Sequence, residues 1–304
     1  MRGVLQDKVV AVTGAGRGIG REIALACARE GAAVVVNDYG VTASGEGSDA
    51  SPAREVVQEI GRSAGRAVIS AASVADPEDA ASIVQLAVRE FGRIDAVVNA
   101  AGFLRDRIFH KMTLADWREV IDVHLNGCFY VSHAAAPHFR EQGSGAVVNF
   151  TSSSGVIGSF GQASYAAAKM GVIGLTTSIA LDMQRHGVRA NSIMPFAWSR
   201  LAATIPATDD VERQRIERLK SMTADKIAPL AVFLCSDLAR HVTGQLFAVR
   251  KNEVFLFNHS RPIRSAHRAE GWTVRSIADD LMPAFQPSMQ PLQRAVDVFP
   301  WDPI

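Results

Sequence analysis

Six short apolar runs recur along the chain, and stretches with helical periodicity lie between them. The runs are "KVVAVT" (8–13), "AAVVVND" (32–38), "GRAVIS" (65–70), "IDAVVNA" (94–100), "GAVVNFTS" (145–152) and "VRANSIM" (188–194). Each is rich in β-branched residues and apolar without alternation, the pattern of a strand covered on both faces in a parallel sheet. Helices are predicted over 18–30, with Gly31 as a stop, and over 52–62, 77–91, 115–140, 162–185 and 225–237. The alternation of strand and helix predicts an α/β fold built on a doubly wound parallel sheet with right-handed crossovers. Two stretches break the rhythm: a Gly/Ser-rich loop over 39–52, and a polar, irregular segment over 195–224 where a mobile lid is expected.

Composition narrows the partners. The chain has 304 residues, 48% hydrophobic and 21% charged, with a formal net charge of +1. That balance supplies no global field for nucleic acid or an anionic membrane. The three cysteines, Cys27, Cys128 and Cys235, are far apart and form neither a disulfide framework nor a CxxC metal site. The start lacks a signal-peptide core, and "GVIGLTTSIALDM" is cut by hydroxyls and an acid before it reaches spanning length. The expectation is a soluble, cytoplasmic protein that binds a small molecule, without metal. His124, His133 and His138 fall along one predicted helix, but without zinc-ligand spacing, and are read as packing or surface residues.

Chemistry enters at the ends of the strands, where an open α/β sheet binds its ligands. The first run passes into "TGAGRGIG" (13–20), in which Gly14, Gly18 and Gly20 permit a tight turn and close approach of a pyrophosphate to a helix N-terminus. An acid, Asp38, closes the second run at the spacing that suits adenine ribose hydroxyls. Together these predict a Rossmann-type dinucleotide site. Further on, "SYAAAKMG" (164–171) sets Tyr165 and Lys169 one helical turn apart, with only alanines between them. A nearby ammonium favours a phenolate, whose ordinary pKa is about 10, and can lower it by roughly 1–3 units.

The combination of "TGAGRGIG", "NAAG" (99–102), a serine thirteen residues before a tyrosine, and "YAAAK" resembles the short-chain dehydrogenase/reductase family over about residues 8–250. A closer likeness, in "VVVND", "FLRDRIF", "GSFGQASYAAAKMG" and "KIAPLAVFLCSD", is to the (3R)-hydroxyacyl-CoA dehydrogenase part of the peroxisomal multifunctional enzymes of type 2. The resemblance implies an NAD-dependent oxidoreductase, with Tyr165 as general acid/base and Lys169 also holding the nicotinamide ribose. It implies that Ser152 meets the substrate oxygen and that Asn126, in "HLNGCFY", holds a water linking the lysine to solvent. In "TSSS" (151–154), Ser153 or Ser154 could take the serine's place, but the spacing to Tyr165 favours Ser152. The cofactor set it implies is Gly14, Arg17, Gly18, Ile19, Gly20, Asp38, Asn99, Ala100 and Gly102, with Tyr165 and Lys169; Asn99 is also read as tying the fourth strand to its neighbours.

Some positions depart from the family pattern. Ala72 or Ser73 stands where an adenine-holding Asp is common, and Phe196 replaces a glycine, so the residue meeting the carboxamide, Ser199 or another, is open. Asp38 favours NAD, while Arg17 could receive the 2′-phosphate of NADP. Arg105, Arg107 and Arg200 are either contacts for CoA phosphates or solvated arginines. Three functions follow: a 3-hydroxyacyl-CoA type dehydrogenase, a hydroxysteroid or small-ketone dehydrogenase/reductase, and a non-catalytic dinucleotide sensor. The expected organisation is a dinucleotide-binding domain over 1–250, lid included, and a C-terminal extension over 251–304 packed on the domain or on a neighbouring subunit. In that extension "TVRSIADDLMPAF" predicts a short helix capped by Thr273. Pairing through the helices near 115–140 and 162–185 predicts a homodimer or homotetramer.

Overall fold

A computed structural model describes residues 3–198, 213, 216, 217 and 219–304. Each of the six apolar runs forms a strand: β1 (Val9–Thr13), β2 (Ala33–Asn37), β3 (Arg66–Ser70), β4 (Ala96–Asn99), β5 (Gly145–Phe150) and β6 (Val188–Phe196). A hairpin follows, β7 (Leu246–Arg250) and β8 (Glu253–Phe257), which carries the sheet past residue 250. The strand order is β3-β2-β1-β4-β5-β6-β7-β8, parallel except for the β7–β8 pair. Because β1 lies between β2 and β4, the winding reverses there, which is the position for a ligand crevice.

Helices cover both faces. They are α1 (Gly18–Arg29), α2 (Ser51–Arg62), α3 (Pro77–Phe91), α4 (Leu114–Ile121), α5 (Gly127–Gln142), α6 (Ser153–Val156), α7 (Ala163–Met183) and α8 (Ala228–Cys235). Val10, Val12, Val34, Val36 and Val98 pack toward α1, α2 and α8, while Val9, Ala11, Val35, Val97 and Val147 pack toward α3, α5 and α7. This is why the runs are apolar throughout: successive side chains enter two different cores. Local signals fix the helix ends. Asp76 caps α3 by accepting from the backbone N–H groups of Glu78 and Asp79, and Gly92 closes it at φ 79°.

The helix predicted over 115–140 contains an irregularity. Thr113 and Asp116 start α4 with a reciprocal capping box, but a π turn at Asp122–Asn126 separates α4 from α5. π turns of this kind concentrate at functional sites. Above the apolar rows, six strands carry a polar row in register: Ser70, Asn37, Thr13 and Asn99 as the last residues of β3, β2, β1 and β4, with Asn149 of β5 and Ser192 of β6. This row marks the carboxyl edge of the sheet.

The extension begins with β8 and continues through residues 258–304. Thr273 caps a short helical stretch from Val274 to Phe285, as its side chain accepts from Ser276 N–H. At its end Phe299 is buried against Phe196 and Phe255 at ring-centroid distances of 5.1 and 5.2 Å. The expected lid lies largely outside the described residues, as do Ser199 and Arg200.

Candidate active site

The glycine loop is shaped by close approach. Gly14 has φ +65°, and a Cβ there would stand 2.7 Å from the backbone of Ala101; a Cβ on Gly20 would stand 2.2 Å from the Gly14 carbonyl. Any larger residue at either place would push α1 off β1 or close the loop onto the fourth strand's exit. Thr13 Oγ1 joins the two loops by accepting from the N–H groups of Ala100 and Ala101, both at 3.2 Å. Between them opens a cleft of about 920 Å³, lined by Gly14, Arg17, Gly18, Ile19, Gly20, Asp38, Ser73, Ala100 and Gly102 among others. Its size is at the upper end for a cofactor site.

Asp38 is fixed within this cleft. Its Oδ2 accepts from Gly16 N–H at 2.8 Å and its Oδ1 from Gly40 N–H at 2.7 Å. Arg17 turns the other way: its guanidinium donates to the Val41 carbonyl at 3.3 Å and lies 3.9 Å from the Asp49 carboxylate. At the adenine end, Ala72 and Ser73 line the cleft in place of a carboxylate. The glycine cradle, the fixed Asp38 and the helix N-terminus fit a dinucleotide, since they offer backbone donors to a pyrophosphate and an acceptor to ribose hydroxyls.

The polar row supports the site from below. Asn99 donates to Ser132 Oγ at 3.0 Å and to Asn149 Oδ1 at 2.8 Å; Asn149 donates to Thr176 Oγ1, and Ser192 donates to the same oxygen. Asn99 is thus placed in an interior network tying β4 to α5, β5, α7 and β6. It does not line the cleft.

Tyr165 and Lys169 come from α7, whose buried stripe repeats every fourth residue through Ser164, Ala168, Val172, Thr176 and Ala180. Ser152 follows β5 and caps α6, accepting from Ser154 N–H at 3.2 Å. Ser152 also hydrogen-bonds the Tyr165 hydroxyl, which draws the phenol's pKa down; burial acts more strongly and holds it above its usual value, with Asp106 adding to the rise. The expected depression by Lys169 is not what this arrangement gives. The Lys169 ammonium lies 5.6 Å from the centre of the Tyr165 ring and donates instead to the Phe150 carbonyl at 2.7 Å. Burial lowers its pKa from 10.5 to about 8.

His124, expected to be a packing or surface residue, stands inside the site. It is 3% exposed and meets Tyr165 edge-on at 5.0 Å between ring centres. A Cβ on Gly102 would collide with its ring, so His124 fills the space between the cleft wall and the tyrosine. Its Nε2 is 2.7 Å from the Phe103 carbonyl, and its Nδ1 is buried without a partner. Burial, assisted by the Lys169 charge, holds its pKa well below the usual range, so the ring is neutral. Phe103 meets Nε2 from both sides, its N–H lying 3.2 Å away, which leaves Nδ1 as the ring nitrogen without a partner. Asn126, two residues on, donates to Asp122 Oδ1 at 2.8 Å. The structure therefore brings Ser152, Tyr165, Lys169 and His124 together, while the Asn126 amide is turned toward its own helix.

Of the arginines considered for phosphates, Arg105 is paired with Glu119 at 2.8 Å and stacked over Phe103, and Arg107 is exposed. Among the described residues there is no cluster able to hold a metal ion, and no helix is long and apolar enough to cross a membrane.

Comparison with known proteins agrees with this geometry. The model of a family described as enoyl-(acyl carrier protein) reductase matches residues 14–251. A Mycobacterium tuberculosis protein named as a short-chain type dehydrogenase/reductase is 46% identical over 233 residues, covering 77% of this chain and 79% of that one. The mouse peroxisomal multifunctional enzyme type 2 is 42% identical over 242 residues, which is 80% of this chain but 31% of that enzyme's length. The crystal structure of a short chain dehydrogenase from Mycobacterium avium superimposes with a TM-score of 0.83 at 36% identity, covering 96% of this chain and 99% of the other. Fold, site and relatives converge: the chain belongs to the short-chain dehydrogenase/reductase family, oxidoreductases that act on CH–OH groups with a nicotinamide dinucleotide.

Proposed function

We propose that this protein is an NAD-dependent dehydrogenase of a bulky secondary alcohol, with a 3-hydroxyacyl-CoA as the substrate class. The observation that carries it is the enclosed set of Ser152, Tyr165 and Lys169 at the carboxyl edge of the sheet. When bound, the nicotinamide supplies or accepts the hydride. The chain's own part is to manage the proton. Ser152 holds the substrate oxygen by hydrogen bonding, and Tyr165 exchanges a proton with that oxygen. Lys169 holds the nicotinamide ribose beside Tyr165, its ammonium lying 5.6 Å from the centre of the Tyr165 ring. A binding-only role gains nothing from a buried ammonium, which argues against a sensor.

Asp38 supports NAD. It presents a fixed carboxylate in the cleft, and a 2′-phosphate beside it would be repelled by roughly 1–4 kcal/mol, while Arg17 is already engaged with Val41 and Asp49. The likeness to the multifunctional enzyme supports an acyl-CoA. The pairing of Arg105 with Glu119 favours the second reading, a hydroxysteroid or small ketone that makes no phosphate contact. The same proposal takes the protein as a cytoplasmic homodimer or homotetramer. Residues 1–250 form its cofactor-binding domain, and residues 251–304 form an extension.

Steady-state turnover with NAD tests the reading. A 3-hydroxyacyl-CoA should be oxidised far more efficiently than the same acyl group on a short thiol. Tyr165→Phe should lose roughly 10²-fold or more in kcat while still binding NADH. Equal efficiency for the two thioesters would remove the CoA assignment, and an active Tyr165→Phe would remove the mechanism.

A further inference from the structure

Two loops meet beside Ser152 and Tyr165. The loop after β4 runs through Asp106 and Arg107, and the loop before α7 ends at Gln162. Arg107 N–H donates to the Gly161 carbonyl at 2.8 Å, and Arg107 and Gln162 form a parallel β-bridge. Backbone pairing thus sets Asp106 against Gln162, and the side chains continue the link. Gln162 Nε2 donates to Asp106 Oδ2 at 2.9 Å, and Gln162 Oε1 accepts from Ser154 Oγ at 2.6 Å. Ser154 N–H in turn donates to Ser152 Oγ at 3.2 Å, and Ser152 hydrogen-bonds the Tyr165 hydroxyl.

This line of bonds has one sense. An ionised carboxylate can only accept, so Gln162 turns its amide NH2 to Asp106 and its carbonyl to Ser154. A carbonyl can only accept in its turn, so the Ser154 hydroxyl gives its proton to Gln162. Ser154 then has no proton left for a substrate. Ser152, which receives the Ser154 N–H and faces Tyr165, is not tied in this way.

We propose that Asp106 is a positioning residue for the reaction: through Gln162 it commits the Ser154 proton and leaves Ser152 as the serine that meets the substrate oxygen. The inference rests on the dehydrogenase reading and deepens it. Without this tether the Ser154 hydroxyl is free to rotate and to compete for Ser152 or for the substrate oxygen. Asp106 also acts by charge. It is exposed, yet crowded enough for desolvation to raise its own pKa, and its negative charge adds to the rise at Tyr165. Among the described residues, the other titratable groups facing Tyr165 are Lys169 from α7 itself and the neutral His124 from the π turn. In oxidation Tyr165 takes the alcohol proton only when deprotonated, so kcat/KM climbs with pH through its pKa. Removing the Asp106 charge lowers that pKa and moves this acid limb to lower pH.

The test follows oxidation by NAD of a 3-hydroxyacyl-CoA and of a small secondary alcohol, at low ionic strength where an exposed charge is least screened. Gln162→Met keeps the length of a half-buried side chain but breaks the link, and kcat should fall about tenfold. In a Ser154→Ala background there is no proton to hold, so adding Gln162→Met should cost less than about twofold. A merely structural role for Gln162 would give the same loss in both backgrounds. Asp106→Asn should move the acid limb of kcat/KM to lower pH. Melting temperature and NADH affinity, compared across the variants, separate misplacement from unfolding. Full activity in Gln162→Met, an equal loss in both backgrounds, or an acid limb unmoved in Asp106→Asn overturns the tether and leaves the dehydrogenase reading standing. A wild type that oxidises neither alcohol overturns the dehydrogenase reading and the tether with it.

Discussion

Replacing Lys169 with methionine removes an ammonium that is 4% exposed and whose pKa burial lowers from 10.5 to about 8. At pH 7 the group is charged in both the folded and the unfolded chain. At 1.36 kcal/mol per pH unit, holding that charge inside the fold costs about 3 kcal/mol. Methionine keeps a chain of similar length but abandons the hydrogen bond to the Phe150 carbonyl, a loss of about 1 kcal/mol. Lys169→Met should therefore be more stable than wild type by about 2 kcal/mol at pH 7. The pH dependence has a definite sign. Between about 8 and 10.5 the unfolded chain keeps a proton that the folded one has released, so wild-type stability rises with pH across this window. The advantage of the variant is full below pH 8 and is reversed by pH 10.5, where only the lost hydrogen bond remains. Urea unfolding of both proteins at pH 7 and pH 10 reads it, because other titrations cancel in the difference. A variant less stable than wild type at pH 7, or a difference unchanged between the two pH values, would refute the argument. The same variant should be nearly inactive, so the ammonium is kept for its chemistry against its cost to the fold.

Two further outcomes follow from the cleft and the helices. Asp38→Ser removes the fixed carboxylate and its repulsion of a 2′-phosphate, so the ratio of kcat/KM with NAD to that with NADP should fall by about tenfold or more; a native enzyme that already prefers NADP would show that Arg17 governs the choice. Met170 and Leu181 on α7 and Phe129 on α5 are 47%, 71% and 45% exposed, and light scattering at micromolar concentration should give a dimer or tetramer; a monomer would refute pairing through these helices.

The sheet was legible because both of its faces are buried: six runs of β-branched residues without alternation can be covered only by helices on both sides. The glycine loop was legible for a related reason, since Gly14 and Gly20 each sit where a Cβ would strike backbone. Tyr165 and Lys169 could be found because one helical turn fixes their proximity whatever surrounds the helix. What surrounds them could not be read from spacing. The direction of the Lys169 ammonium, toward Phe150 rather than the phenol, depends on where β5 ends relative to α7, which is a tertiary fact. The expectation that lysine lowers the tyrosine's pKa omitted burial, and burial dominates for both groups.

His124 shows the same limit from the other side, and a signal for it did exist. Asp116, Val120 and His124 recur every fourth residue and are all buried, so the histidine continues a buried stripe. A titratable ring on such a stripe needs a partner for both ring nitrogens. Reading it as packing satisfied the periodicity but left that demand unmet. The structure meets half of it: Phe103 takes Nε2, and Nδ1 stays bare beside Tyr165 and Lys169. An unpartnered buried ring nitrogen costs stability, and the buried Lys169 ammonium costs more. Two such costs lie side by side at the carboxyl edge of the sheet, where Ser152 and Tyr165 also stand.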